Sequence, residues 1–161
     1  MPETARQGDY FLMKARILDA AGRSADADAT LAEALQQPFT RSDVALQAAS
    51  LLAGRKRFTD ALKVLGQASS ADPDNPELLL GQAVVLALMD RTGEAEESLQ
   101  KIQRRWPEWD RAYRVHGLLL ERARRGDEAR RKLQIAAALG GASESDRCGL
   151  RLESFLTGAC R

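Results

Sequence analysis

The chain has 161 residues, with 24 Lys and Arg against 23 Asp and Glu and a net charge of +1. Hydrophobic residues are 44% and charged ones 29%, a globular composition in one domain long enough to bury a core without metal or disulfide. Aromatics are only 5% and helix formers dominate, while the near-neutral charge gives no global pull toward nucleic acid or an anionic membrane, so a mainly β fold and a polyelectrolyte binder are both disfavoured.

No apolar run approaches the about 18 residues of a spanning helix, so no membrane insertion is expected. The first ten residues lack the basic, apolar, small-residue order of a signal peptide. A cytoplasmic location follows if this is the full chain, a periplasmic one if a leader was removed.

Residues 1–7 are too few for a structural unit and are expected to be disordered. From residue 8 the chain repeats itself. Ala27, Ala61, Ala95 and Ala129 stand 34 apart, followed four residues on by Leu31, Leu65, Leu99 and Leu133, and three further on by Ala34, Ala68, Ile102 and Ala136. The upstream half of each unit repeats too. Ala15, Ala49, Ala83 and Gly117 share one place, Leu18, Leu52, Leu86 and Leu120 the place three later, and Phe11, Ala45, Leu79 and Tyr113 the place four before. Spacings of three and four mark a helix face, so each unit carries two helices. Gly22, Gly54, Gly93 and Gly126 break the units near their middles, and Pro38, Pro73, Pro107 and the Gly140-Gly141 pair mark their ends. The units are 8–41, 42–75, 76–109 and 110–143. Asn75-Pro76 reads as a helix start, with a capping Asn before a first-turn proline, and Thr40 to Asp43 and Ser143 to Asp146 have the spacing of capping boxes.

Beyond residue 143, Cys148, Leu152, Phe155, Leu156 and Ala159 fall on one face at helical spacing. Residues 144–161 are therefore expected to form a ninth helix that caps the last unit. The first unit has no such cover: Tyr10, Phe11 and Ile17 would face a missing neighbour, which allows a homo-oligomer through the N-terminal face.

The pattern resembles the tetratricopeptide repeat, over residues 8–143. Ala83, Leu86, Ala95, Leu99, Ile102 and Pro107 carry it in the third unit, and Tyr113, Gly117, Leu120, Ala129, Leu133 and Ala136 in the fourth. It departs at Lys14, Ala48, Gln82 and His116, where the family prefers Leu, and it has the flavour of bacterial members. The resemblance implies an all-α fold, a right-handed α-solenoid of helix-turn-helix units whose first helices line a concave groove. Carried over residue by residue, it gives groove residues Leu12, Arg16, Leu46, Ser50, Leu80, Val84, Arg111, Arg114 and Leu118. Ser50, Ala53, Gly81 and Ala87 were expected to form a small-residue floor open to apolar anchors of a partner, with Leu80 facing the groove. The Lys and Asn set with which some relatives clamp a chaperone's C-terminal carboxylate is absent.

Chemistry-bearing motifs are few. His116 is the one histidine, and Cys148 and Cys160 are the two cysteines, so neither a metal site nor a catalytic role is expected, and no cofactor. Cys148 with His116 could form a nucleophile pair; the plainer reading is a packed cysteine and a first-helix histidine. In a continuous helix the cysteines would lie about 18 Å apart, too far to bridge; a turn at Gly158 would bring them closer, and a bridge would imply an oxidising compartment. Arg122, Arg124, Arg125, Arg130, Arg131 and Lys132 cluster in the fourth unit, either as a site for an acidic partner or nucleic acid, or as a solvated face interleaved with Glu121, Asp127 and Glu128. Arg23, Arg57, Arg91 and Arg125 recur once per unit, as a charged ladder or as a turn preference. Trp106 and Trp109 flank Pro107, as a stacking surface or as junction packing. The leading expectation is a non-catalytic scaffold that binds a partner peptide or helix in the concave groove. The alternatives are self-assembly, a non-catalytic domain of a longer protein, and nucleic-acid binding through the fourth unit.

Overall fold

A computed structural model describes residues 3–36 and 41–140. Among them are eight helices and no strand: α1 (Glu3–Ala20), α2 (Ser24–Ala34), α3 (Ser42–Gly54), α4 (Phe58–Ala71), α5 (Pro76–Leu88), α6 (Thr92–Arg105), α7 (Asp110–Arg122) and α8 (Gly126–Gly140). Consecutive helices pair as α1 with α2, α3 with α4, α5 with α6 and α7 with α8. α4 packs on α5 and α6 on α7, while the first helices follow one another in the row α1, α3, α5, α7. This is an all-α solenoid, and its core runs along the stack. Ala27, Ala61, Ala95 and Ala129 are buried, as are Leu31, Leu65 and Leu99. α1 starts at Glu3, so the lead expected to be disordered is helical from there on. The expected cap over 144–161, Cys148, Cys160 and the Pro38 break lie outside the described residues.

The helix starts are built differently from the sequence expectation. At Asn75 the side chain accepts from the Glu77 N–H at 3.1 Å, with Pro76 in the first turn, as the dipeptide suggests. α3 instead begins after Arg41, whose side chain caps nothing, and Thr40 is not described.

The turns inside the four pairs share one design. The N–H groups of Arg23, Arg57, Arg91 and Arg125 reach back to the carbonyls of Leu18, Leu52, Leu86 and Leu120 at 2.8–3.0 Å. Those of Gly22, Lys56, Asp90 and Arg124 bond to Asp19, Ala53, Ala87 and Glu121. These are the two bonds of a Schellman motif, which closes a helix through one left-handed residue. That residue is Gly22, Lys56, Asp90 or Arg124, with φ between 59° and 74°. Gly54, Gly93 and Gly126, expected to break the units, lie inside helices at their ends. The next residue, the recurring arginine, is the N-cap of α2, α4 and α6 in turn. Its Nε donates to the carboxylate three residues on, at 2.8 Å in Arg23–Asp26 and Arg57–Asp60, 2.6 Å in Arg91–Glu94 and 2.7 Å in Arg125–Glu128. The acid sits on the positive end of the helix, and the arginine holds it there. The ladder is thus a turn device.

Candidate functional site

The face carried by the first helices is the candidate site, and the structure divides its expected residues in two. Leu12, Leu46, Leu80, Val84 and Leu118 belong to the core, with exposures of 8% or less. The expectation that Leu80 faces open groove is corrected by this burial. The physical reason lies at Gly81. A Cβ added there would sit 3.2 Å from Leu46 Cδ2 and 3.3 Å from Leu65 Cδ2. The small residue draws neighbouring helices together, and leucines fill the space that was expected to admit a ligand. Ala53 and Ala87 are likewise buried.

The remaining expected residues are polar and reach the surface. Arg16 is exposed, and its Nη1 donates to Gln47 Oε1 of α3 at 2.5 Å. Ser50 is half-buried beside it on α3. Farther along, the Arg111 guanidinium pairs with Glu77 of α5, 34 residues away, and lies 5.8 Å from the Trp109 ring. Arg114 donates to Asp110 at 2.9 Å within α7. Both arginine side chains are only 12–13% exposed, so their stems are packed and their heads held. At the other side Arg41 forks onto Asp43 and holds its carboxyl below the usual carboxylate range. The face is therefore a closed apolar floor topped by fixed hydrogen-bonding groups. It can read a polar or charged segment; it offers no apolar pocket at the expected place.

A second polar cluster, between α6, α7 and α8, was legible only as a lone histidine. His116 is 2% exposed and Gln103 8%. The Gln103 amide donates one hydrogen to His116 Nδ1 at 3.0 Å and the other to the Ala112 carbonyl at 3.2 Å. Its oxygen accepts from Lys132 Nζ at 2.9 Å. Accepting at Nδ1 leaves the imidazole neutral with its proton on Nε2, which has no hydrogen-bond partner; Glu96 Oε1 stands 3.5 Å away. Burial pushes the His116 pKa down, helped by nearby Lys132 and Arg125 and opposed by Glu96. Glu96 is itself held ionised by Arg125. The cluster clamps three helices and lies away from the cysteines, which are not described.

The basic cluster of the fourth unit is largely engaged. Arg122 pairs with Asp90, Arg125 with Glu96 and Glu128, and Arg130 with Asp127. Lys132 lies 5.6 Å from the Tyr113 ring centre besides bonding Gln103. Trp106 and Trp109 are partly buried against the core at the junction of α6 and α7, with Arg105 stacked 4.7 Å over Trp106. No helix among the described residues is long and apolar enough to cross a membrane, and no group of His, Cys, Asp and Glu there could hold a metal ion.

Residues 52–119 match a family model described as tetratricopeptide repeat; the match runs from the end of α3 through most of α7. No curated protein matches the chain.

Proposed function

We propose, for this chain as a tetratricopeptide-repeat protein, that it is a scaffold whose first-helix face binds a segment of a partner protein. Repeats of this family generally mediate protein–protein interaction, and their fold is typically a non-catalytic one. The observation that carries the finer reading is the row of held polar groups from Arg16, Gln47 and Ser50 to Glu77, Arg111 and Arg114, above a closed apolar floor. Side chains fixed before binding lose little entropy when a partner docks. Mixed charge along the row favours one direction of the bound segment. The recognised segment then carries charged and amide side chains, in place of the apolar anchors that the sequence pattern suggested.

The test is site-specific photo-crosslinking in the source cells, with the crosslinker at Ser50 or at Lys63, an exposed residue of α4. The same partner captured from Ser50 and not from Lys63 supports the reading. Capture from Lys63 alone would move the working surface to the second helices.

A further inference from the structure

The exposed stripe of α1 has an internal template in the later units. Tyr10 is 62% exposed, while Leu78 and Ala112, which lie 68 and 102 residues on at the same place of their units, are 0% exposed. Ile17 is also 62% exposed, against 0% for Val85 and 1% for Leu119. Met13, between them, is 55% exposed. In α5 and α7 the helix packed on this side is α4 and α6 respectively. Each covering helix also answers one polar side chain. Gln82 donates to Ser69 Oγ at 2.7 Å, and His116 receives the Gln103 amide at 3.0 Å, both pairs 13 residues apart. The residue of α1 at the place of Gln82 and His116 is Lys14, which is exposed.

We propose that the Tyr10–Met13–Ile17 face of α1 is a docking site for a helix of another protein, built like α4 and α6 but carrying a carboxylate where those have Ser69 and Gln103. The partner helix has a small residue where α4 and α6 have Ala61 and Ala95, and Leu four residues later. The carboxylate follows four residues after that, where Lys14 waits. A lysine covered without an anion is strongly disfavoured, so the charge selects the occupant. It also argues against a second copy stacked head to tail. The end helix α8 has Ala137 at the place of Gln103 and would leave the Lys14 ammonium buried and unanswered. This surface is separate from the first-helix face of the scaffold reading and does not depend on it.

The experiment uses the full chain and a fluorescein-labelled peptide with the sequence Thr92–Arg105 carrying Gln103→Glu, followed by anisotropy. Saturable binding is expected, weaker by about tenfold for the unaltered Gln103 peptide, the loss of one charged pair. Lys14→Glu should weaken the Glu peptide by at least about tenfold and restore binding to a Gln103→Lys peptide. Tyr10→Asp and Ile17→Asp, both at exposed positions, should abolish binding while circular dichroism and thermal unfolding stay unchanged. No saturable binding to the wild-type chain overturns the proposal, as does binding indifferent to Ile17→Asp. Concentration-dependent self-association abolished by Ile17→Asp, without peptide binding, would make a second copy the occupant and overturn it too.

Discussion

The left-handed residue of each turn is the place where single side chains act most directly on stability. At Gly22 the backbone costs nothing, whereas Lys56, Asp90 and Arg124 hold φ near 60° with a Cβ. Lys56→Gly should therefore raise the urea midpoint, by about 0.5–1 kcal/mol after the added freedom of the unfolded chain is subtracted. Gly22→Ala should lower stability by about 1 kcal/mol, although nothing lies within 4 Å of the added methyl. Equal midpoints for both variants and wild type would remove the strain argument. Gly117 poses the opposite problem. Its Cβ would stand 2.7 Å from Leu133 Cδ2 and 3.3 Å from the Ala129 carbonyl. Gly117→Ala should cost about 1–3 kcal/mol by overpacking, checked by the same denaturation series. The 34-residue register was open to reading, and so was the need for small residues at Ala95, Gly117 and Ala129. The left-handed places were hidden because Lys and Arg carry no turn chemistry. Only extending Gly22 by multiples of 34 would have found them.

At the scale of elements, the Gln103 and His116 pair couples α6, α7 and α8 to pH. The folded state holds His116 neutral, with its pKa lowered chiefly by burial. The unfolded chain takes up the proton near the ordinary value of about 6.5. The unfolded state then binds more protons below that value. The stabilisation is complete above about pH 6.5 and is lost as pH falls toward the lowered folded value, with a slope of at most about 1.4 kcal/mol per pH unit. Glu96 and Glu128 face the ring's surroundings with pKa values lowered by Arg125, so both remain ionised across this window. Lys132 and Arg125 remain cationic. Urea midpoints at pH 7.5 and 5.5 should differ for the wild type and coincide for His116→Gln, which places in α7 the residue that α5 has as Gln82. An unchanged pH slope in that variant would assign the effect elsewhere. The histidine could be noticed in the sequence, but its partner Gln103 could not. Glutamine on a second helix reads as surface until the stack brings α6 onto α7.

For the whole molecule, the repeat decides which faces are shared and which are left over. Units that bury one another through both flanks leave an uncovered flank at α1 and exposed apolar residues, Ile135 and Leu139, on α8. Stack, helix order and core followed from the period alone, because hydrophobic spacing is a local property repeated four times. The division between floor and surface did not follow, because it depends on how closely α3 and α5 approach. That distance is set by Gly81 meeting Leu46 and Leu65, a contact between residues of different units. Leu80, 1% exposed, is therefore a core residue of a chain in which neighbouring units stabilise each other. Leu80→Glu should bury a carboxylate without a partner and unfold the third unit together with those stacked on it. Gln47→Glu, on the half-buried polar face, should leave helicity and thermal unfolding near the wild type and change partner capture instead. Circular dichroism melts of both variants decide the matter. A stable Leu80→Glu chain would mean that the first-helix face is open after all, and apolar anchors would again be the expected ligand chemistry.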